Sequence, residues 1–154
     1  VFDEVSSKMM SGITAIDNED RVIVPAMADA ALASPTNIHG IDYDPASNSL
    51  IVSDVGSAAD ATDGKLYVIP NANNAMGISN VSVNIAGPNS MLGNPVDIMY
   101  DGSHLYVAEK SNGLVMRFNN ILNSASGDIS ASASFSYPAP ESVAIVPSYL
   151  YRAE

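Results

Sequence analysis

Four polar side chains stand in short apolar runs of this sequence: His39 and Asp42 in the run 38–44, Asp97 in 95–100, and Glu141 in 141–147. If those runs are strands that line a common channel, carboxylates and an imidazole converge on it. Oxygen and imidazole donors together suit a hard or borderline cation, Ca²⁺ or another divalent ion. The competing reading is that the same side chains bond main-chain groups at strand ends, as polar residues beside turns do. A second candidate is the acidic loop that carries Asp54, Asp60 and Asp63. Three carboxylates so close together could hold Ca²⁺ with help from backbone carbonyls. Their spacing matches neither an EF-hand nor a nonapeptide calcium repeat, and a solvated loop is the alternative. Asp17-Asn18-Glu19-Asp20 reads as a hairpin turn.

Familiar catalytic signatures do not occur. There is no G-x-S-x-G elbow and no phosphate-cradling glycine loop followed by Lys. Cysteine is absent, which removes disulfides, thiolate metal sites and a cysteine nucleophile. Only His104 accompanies His39, so a catalytic triad has few places to form, and no catalytic residue is assigned. With 17 acidic and 6 basic residues the formal charge is −11. Nucleic acid and anionic membrane are poor partners for such a surface, because a polyanion has to be neutralised by Lys and Arg. A cation or a basic partner fits it better, and the competing reading is that the acidity simply keeps the protein soluble. No run reaches the roughly 18 to 20 apolar residues of a membrane span. The chain opens on Val rather than Met. A processed form or an excised piece is therefore expected, and an extracytoplasmic or secreted location is favoured.

These residues need strands to position them, and the sequence supplies strands in repeats. The clearest copy is 94–118, three apolar runs (96–100, 105–109 and 114–118) separated by Asp101-Gly102 and Ser111-Asn112-Gly113. Asp-Gly and Asn-Gly between apolar runs are strong hairpin signals, because both residues tolerate positive φ. A similar copy begins at Ile38 and reaches Asp54. A third begins at Glu141 and runs into Tyr149-Leu150-Tyr151. The copies start about 57 and about 46 residues apart, near the roughly 40 to 50 of a four-stranded propeller blade. The insertion 55–63 explains the longer first interval. Third strands are expected at 64–70 and 113–118, and fourth strands at 81–85 and 129–137. Two further strands are expected at 12–16 and 21–25, before an Ala-rich link at 26–35. Tyr43, Tyr67, Tyr100, Tyr106 and Tyr151 fall on strands and are expected to pack between units. The expectation is one all-β domain over 1–154 made of repeated four-stranded antiparallel units. Full units lie at 37–90 and 94–138, and half-units at 11–26 and 140–152. Completion of a propeller by the remainder of a longer chain, or by a homodimer that closes six blades, follows from that count.

The segments Pro95-Val96-Asp97-Ile98, Leu105-Tyr106-Val107-Ala108-Glu109 and Asn112 to Phe118 together resemble an NHL-type propeller repeat. His39-Gly40-Ile41-Asp42 with Leu50-Ile51-Val52-Ser53-Asp54 resembles a second, and 140–150 a third. The repeats are also distantly similar to the gluconolactonase and senescence-marker family of six-bladed, metal-dependent hydrolases. That resemblance implies a metal ligand before an inner-strand glycine, where this chain has His39. It implies another from the next repeat, where this chain has Tyr100 with Asp97 three residues earlier. The expected function is a non-enzymatic module that presents a propeller rim to a protein, peptide or saccharide, since propellers host many functions. The alternatives are a metal-dependent hydrolase of the lactonase type, with His39, Asp97 and Glu141 as ligands, and a structural or assembly role.

Overall fold

The computed structural model describes residues 23–25, 37–57 and 59–146. Among these residues the regular structure is ten β-strands and three short 3₁₀ turns. Sheet one has the order β2 (Ile38–Asp44), β3 (Ser49–Asp54), β4 (Lys65–Pro70) and β6 (Val83–Ala86), all antiparallel. Sheet two repeats the pattern with β7 (Pro95–Tyr100), β8 (His104–Glu109), β9 (Leu114–Asn119) and β10 (Ala133–Ser136). A two-stranded parallel sheet joins β1 (Ile23–Pro25) to β5 (Gly77–Ser79).

The all-β, four-stranded antiparallel organisation expected from the repeats is the one found. Details differ at the outer strands. The fourth strands are shorter than their apolar runs, starting at Val83 and Ala133, and β5 is inserted before β6. The run 21–25 contributes β1, which pairs in parallel with β5. The strand expected at 12–16, the turn at 17–20, the link at 26–35 and Tyr151 lie outside the described residues.

Both hairpin signals act as their chemistry demands. Gly102 and Gly113 sit at φ 94° and 62°, in the region that L side chains avoid. Asp44 and Asp101 close the first hairpin of each sheet by accepting main-chain N–H groups. Asp44 takes those of Ala46 and Ser47, and Asp101 those of Ser103 and His104. Asn71 and Asn120, at φ 54° and 53°, each follow a third strand and start a 3₁₀ turn that buries Ala72 or Ile121. Asn is among the few residues that enter this left-handed region readily.

The two sheets pack face to face. Cross-strand neighbours on one face of sheet one are Ile51, Leu66, Val68, Val83 and Ile85. They meet Ile98, Leu105, Val107, Met116 and Phe118 of sheet two in one buried cluster, closed by Leu92 and Ile121. On the other face of sheet one, Leu50, Val52, Tyr67 and Ile69 are buried in a second cluster with Ala72 and Ala75. The other face of sheet two has no such cluster among the described residues. Tyr106 and Val115 are half-buried there, and Phe135 is 60% exposed.

Candidate functional site

Register relates the sheets residue by residue. Ile41 pairs with Val52 and Ile98 with Val107, two residues before Asp54 and Glu109, the last residues of β3 and β8. Gly40 is therefore the counterpart of Asp97, and Asp54 of Glu109.

Asp54 and Glu109 are fully buried, a placement that is costly unless donors face the charge. Asp54 Oδ1 accepts the N–H of Asn37 at 2.8 Å and of Gly56 at 2.9 Å. Glu109 Oε1 accepts those of Gly93 and Asn94, and Oε2 accepts Asn112 N–H at 2.6 Å. Each carboxylate thus ties the segment that enters the first strand to the loop that leaves the second. Asp54 Oδ2 is buried without a hydrogen-bond partner. Burial, aided by the charge of Asp54, pushes the Tyr67 phenol well above its ordinary value.

Beyond Asp54 the acidic loop folds on its own main chain. Gly56, at φ 55°, lies against the Asp63 carboxylate: a Cβ there would come within 2.6 Å of Asp63 Cγ. Asp63 Oδ2 accepts Ser57 N–H at 2.8 Å. Asp60 Oδ1 accepts both the N–H and the hydroxyl of Thr62, and the hydroxyl bond holds the exposed Asp60 carboxyl below its usual range. Asp54 and Asp63 therefore flank Gly56, while Asp60 sits in an exposed turn. The groups these carboxylates engage are N–H donors and, at Asp60, a hydroxyl as well, where a Ca²⁺ loop aims its oxygens at the ion.

The residues assigned to a channel are placed differently from one another. His39 is exposed on β2. Asp42 Oδ2 accepts Tyr100 N–H at 2.6 Å, and its Oδ1 accepts Tyr43 N–H. Asp97 Oδ2 accepts Val143 N–H at 3.0 Å. Glu141 pairs with Lys110 at 2.6 Å. Among the described residues no group of three or more His, Cys, Asp or Glu side chains is placed to hold a metal ion. Asp42 instead braces β2 against β7, and Asp97 braces β7 against the segment 141–146. Ser53, which the sequence reading passed over, does the same: it accepts Gly40 N–H at 2.9 Å and donates to the Pro95 carbonyl at 2.7 Å. Gly40 permits the approach, since a Cβ there would lie 2.8 Å from Ile98 N.

Of the tyrosines, Tyr67 is buried in the second cluster and Tyr100 packs against the first. Tyr43 is 42% exposed, its hydroxyl near Asn48 and Asn73. His104 is half-buried at the head of β8, its Nδ1 3.0 Å from Asp101 Oδ2.

The open concavity is elsewhere. Among the described residues, a groove of about 850 Å³ runs along the second face of sheet two, between Tyr106, Val115 and Phe135 on one side and residues 137–145 on the other. Tyr137 is 56% exposed at its edge, and Ile145 is exposed across from it. Among its described lining residues the acidic one, Glu141, pairs with Lys110 at the surface. The signal for this surface was in the alternation of β10, where a lone Phe135 stands among small residues.

The class these features define is an all-β protein of two repeated four-stranded antiparallel sheets, each with a buried carboxylate closing its second strand. No family model matches the chain, and no curated protein or solved structure matches it.

Proposed function

We propose that the chain is a non-enzymatic binding module of the propeller type, its two sheets serving as adjacent NHL-like blades. It takes a protein or peptide on the open face of the second. The observation that supports this most directly is the groove itself, a large hollow whose wall carries the exposed aromatic side chains of Phe135 and Tyr137. The contact surface is then the flank of sheet two rather than the rim of a ring. The candidate carboxylates weigh the same way. Of the lactonase ligand set, His39 is exposed, while Asp97 accepts a main-chain N–H and Glu141 pairs with Lys110, so a hydrolase of that type would have to free the two carboxylates first. No helix among the described residues is long and apolar enough to cross a membrane.

An anilinonaphthalene dye tests the groove. It is expected to bind saturably, and Phe135→Asp is expected to weaken binding by roughly tenfold, the equivalent of about 1.4 kcal/mol for one lost aromatic contact. The circular dichroism spectrum should be unchanged. Metal analysis followed by a lactone hydrolysis assay, with and without chelator, tests the rival. Stoichiometric metal with chelator-sensitive turnover would overturn the binding reading.

A further inference from the structure

The face of sheet two that carries Tyr106, Val115, Arg117, Ala133 and Phe135 matches, position by position, the face of sheet one that carries Ile51, Leu66, Val68, Val83 and Ile85. The second set is buried beneath a neighbouring sheet. The first has the same strand positions and no sheet over it among the described residues.

The chain beyond β10 repeats the next step of the pattern. Pro140 is buried, as Pro95 is, and leads into 141–146 as Pro95 leads into β7. Val143 then corresponds to Ile98. At the first joint Ile98 N lies against Gly40, and at the second Val143 N–H is held by Asp97, the counterpart of Gly40. Lys110 holds Glu141 at the near end. Residues 141–146 therefore lie where the innermost strand of a further sheet would begin. Among the described residues, Val143 N–H is their one main-chain group with a hydrogen-bond partner.

We infer that the groove beside 141–146 is a strand-addition site, in which a second polypeptide lays one strand antiparallel to 141–146 and sets alternate apolar side chains onto Tyr106, Val115 and Phe135. The inference deepens the binding reading above and rests on it. In strand addition the main chain supplies affinity and the alternate side chains supply selectivity. The chemistry of the incoming strand follows from the joint already present. There β8 lies on β7 and buries Leu105 and Val107 against sheet one, and its terminal Glu109 accepts main-chain N–H groups. The partner strand is accordingly apolar at alternate positions and ends on a carboxylate. Arg117, whose Nε is buried without a partner on this face, suits an acidic strand.

The test uses the full chain and a terminally blocked peptide with the sequence of residues 104–109, the β8 strand. Amide hydrogen exchange is followed at residues 144–146. Exchange is expected to slow by roughly tenfold when the peptide stands at about ten times its dissociation constant. It should not slow in Phe135→Asp, nor with a peptide in which the positions of Leu105 and Val107 carry Asp. If millimolar peptide leaves the exchange unchanged while the dye still binds, strand addition is wrong and the groove reading survives. If the dye fails as well, both fall. Protection of these amides before any peptide is added would mean that the chain itself already fills the site, and that too would overturn the inference.

Discussion

Ile85 and Phe135 hold the same place in two copies of one structural unit, on the fourth strand opposite Leu66 and Val115. Ile85 is completely buried, whereas Phe135 is 60% exposed. Among the described residues, sheet one has a buried cluster on both faces and sheet two on one. The second strands differ little: each is apolar along most of its length and ends on a buried acid. What differs is the neighbour. An apolar side chain on a strand gains from cover, about 1.5–3 kcal/mol for a large one, but nothing local states what supplies the cover.

The largest expected effect tests that contrast directly. Ile85→Ala should cost roughly 2–5 kcal/mol, since it empties a site in the shared core. Phe135→Ala should stay within about 0.5 kcal/mol, as for an exposed position. Urea denaturation of the two variants measures both. Equal losses would mean that Phe135 is covered in solution, and the asymmetry would disappear.

The two buried carboxylates sharpen the comparison at the next level. Glu109 uses both oxygens as acceptors, so Glu109→Gln turns an amide N–H toward an N–H donor and should cost about 2–3 kcal/mol. Asp54 receives donors only at Oδ1, which leaves room for an amide at Oδ2. Asp54→Asn should therefore cost about 1 kcal/mol or less. Reversal of that order in the same denaturation assay would refute the acceptor accounting.

The smallest effect is alkaline. Tyr67 ionises in the folded chain only well above the ordinary tyrosine value of 10.0, first because it is buried and then because Asp54 lies near. The unfolded chain gives up this proton earlier. The contribution is complete below about pH 10 and declines as pH rises above it toward the folded value. Tyr67→Phe should flatten the decline of melting temperature above pH 10 relative to the parent chain. A curve of the same slope in both proteins would remove Tyr67 as its source.

Much of this architecture was legible because strand and turn signals are local. Asp101-Gly102 and Asn112-Gly113 specify hairpins through the φ angles their residues accept, and the structure has hairpins there. The outer strands were harder. In 129–137 small and polar residues offer no packing preference, and only Ala133–Ser136 pair with β9. The site was less legible still. Asp42 and Asp97 were visible as carboxylates on inner runs, but their role depends on where Tyr100 N–H and Val143 N–H arrive from distant parts of the chain. Ser53 carried no signal beyond its neighbour Asp54, and its bond to the Pro95 carbonyl joins residues far apart in the chain.

By itself the sequence determined the repeats, the turns and which residues alternate along each strand, because those follow from backbone sterics and side-chain period within a few neighbours. Tertiary structure decided which faces are covered, which carboxylates meet an N–H and where a groove stays open. Those outcomes depend on the stacking of one sheet on the next, and stacking joins residues that no local spacing brings together.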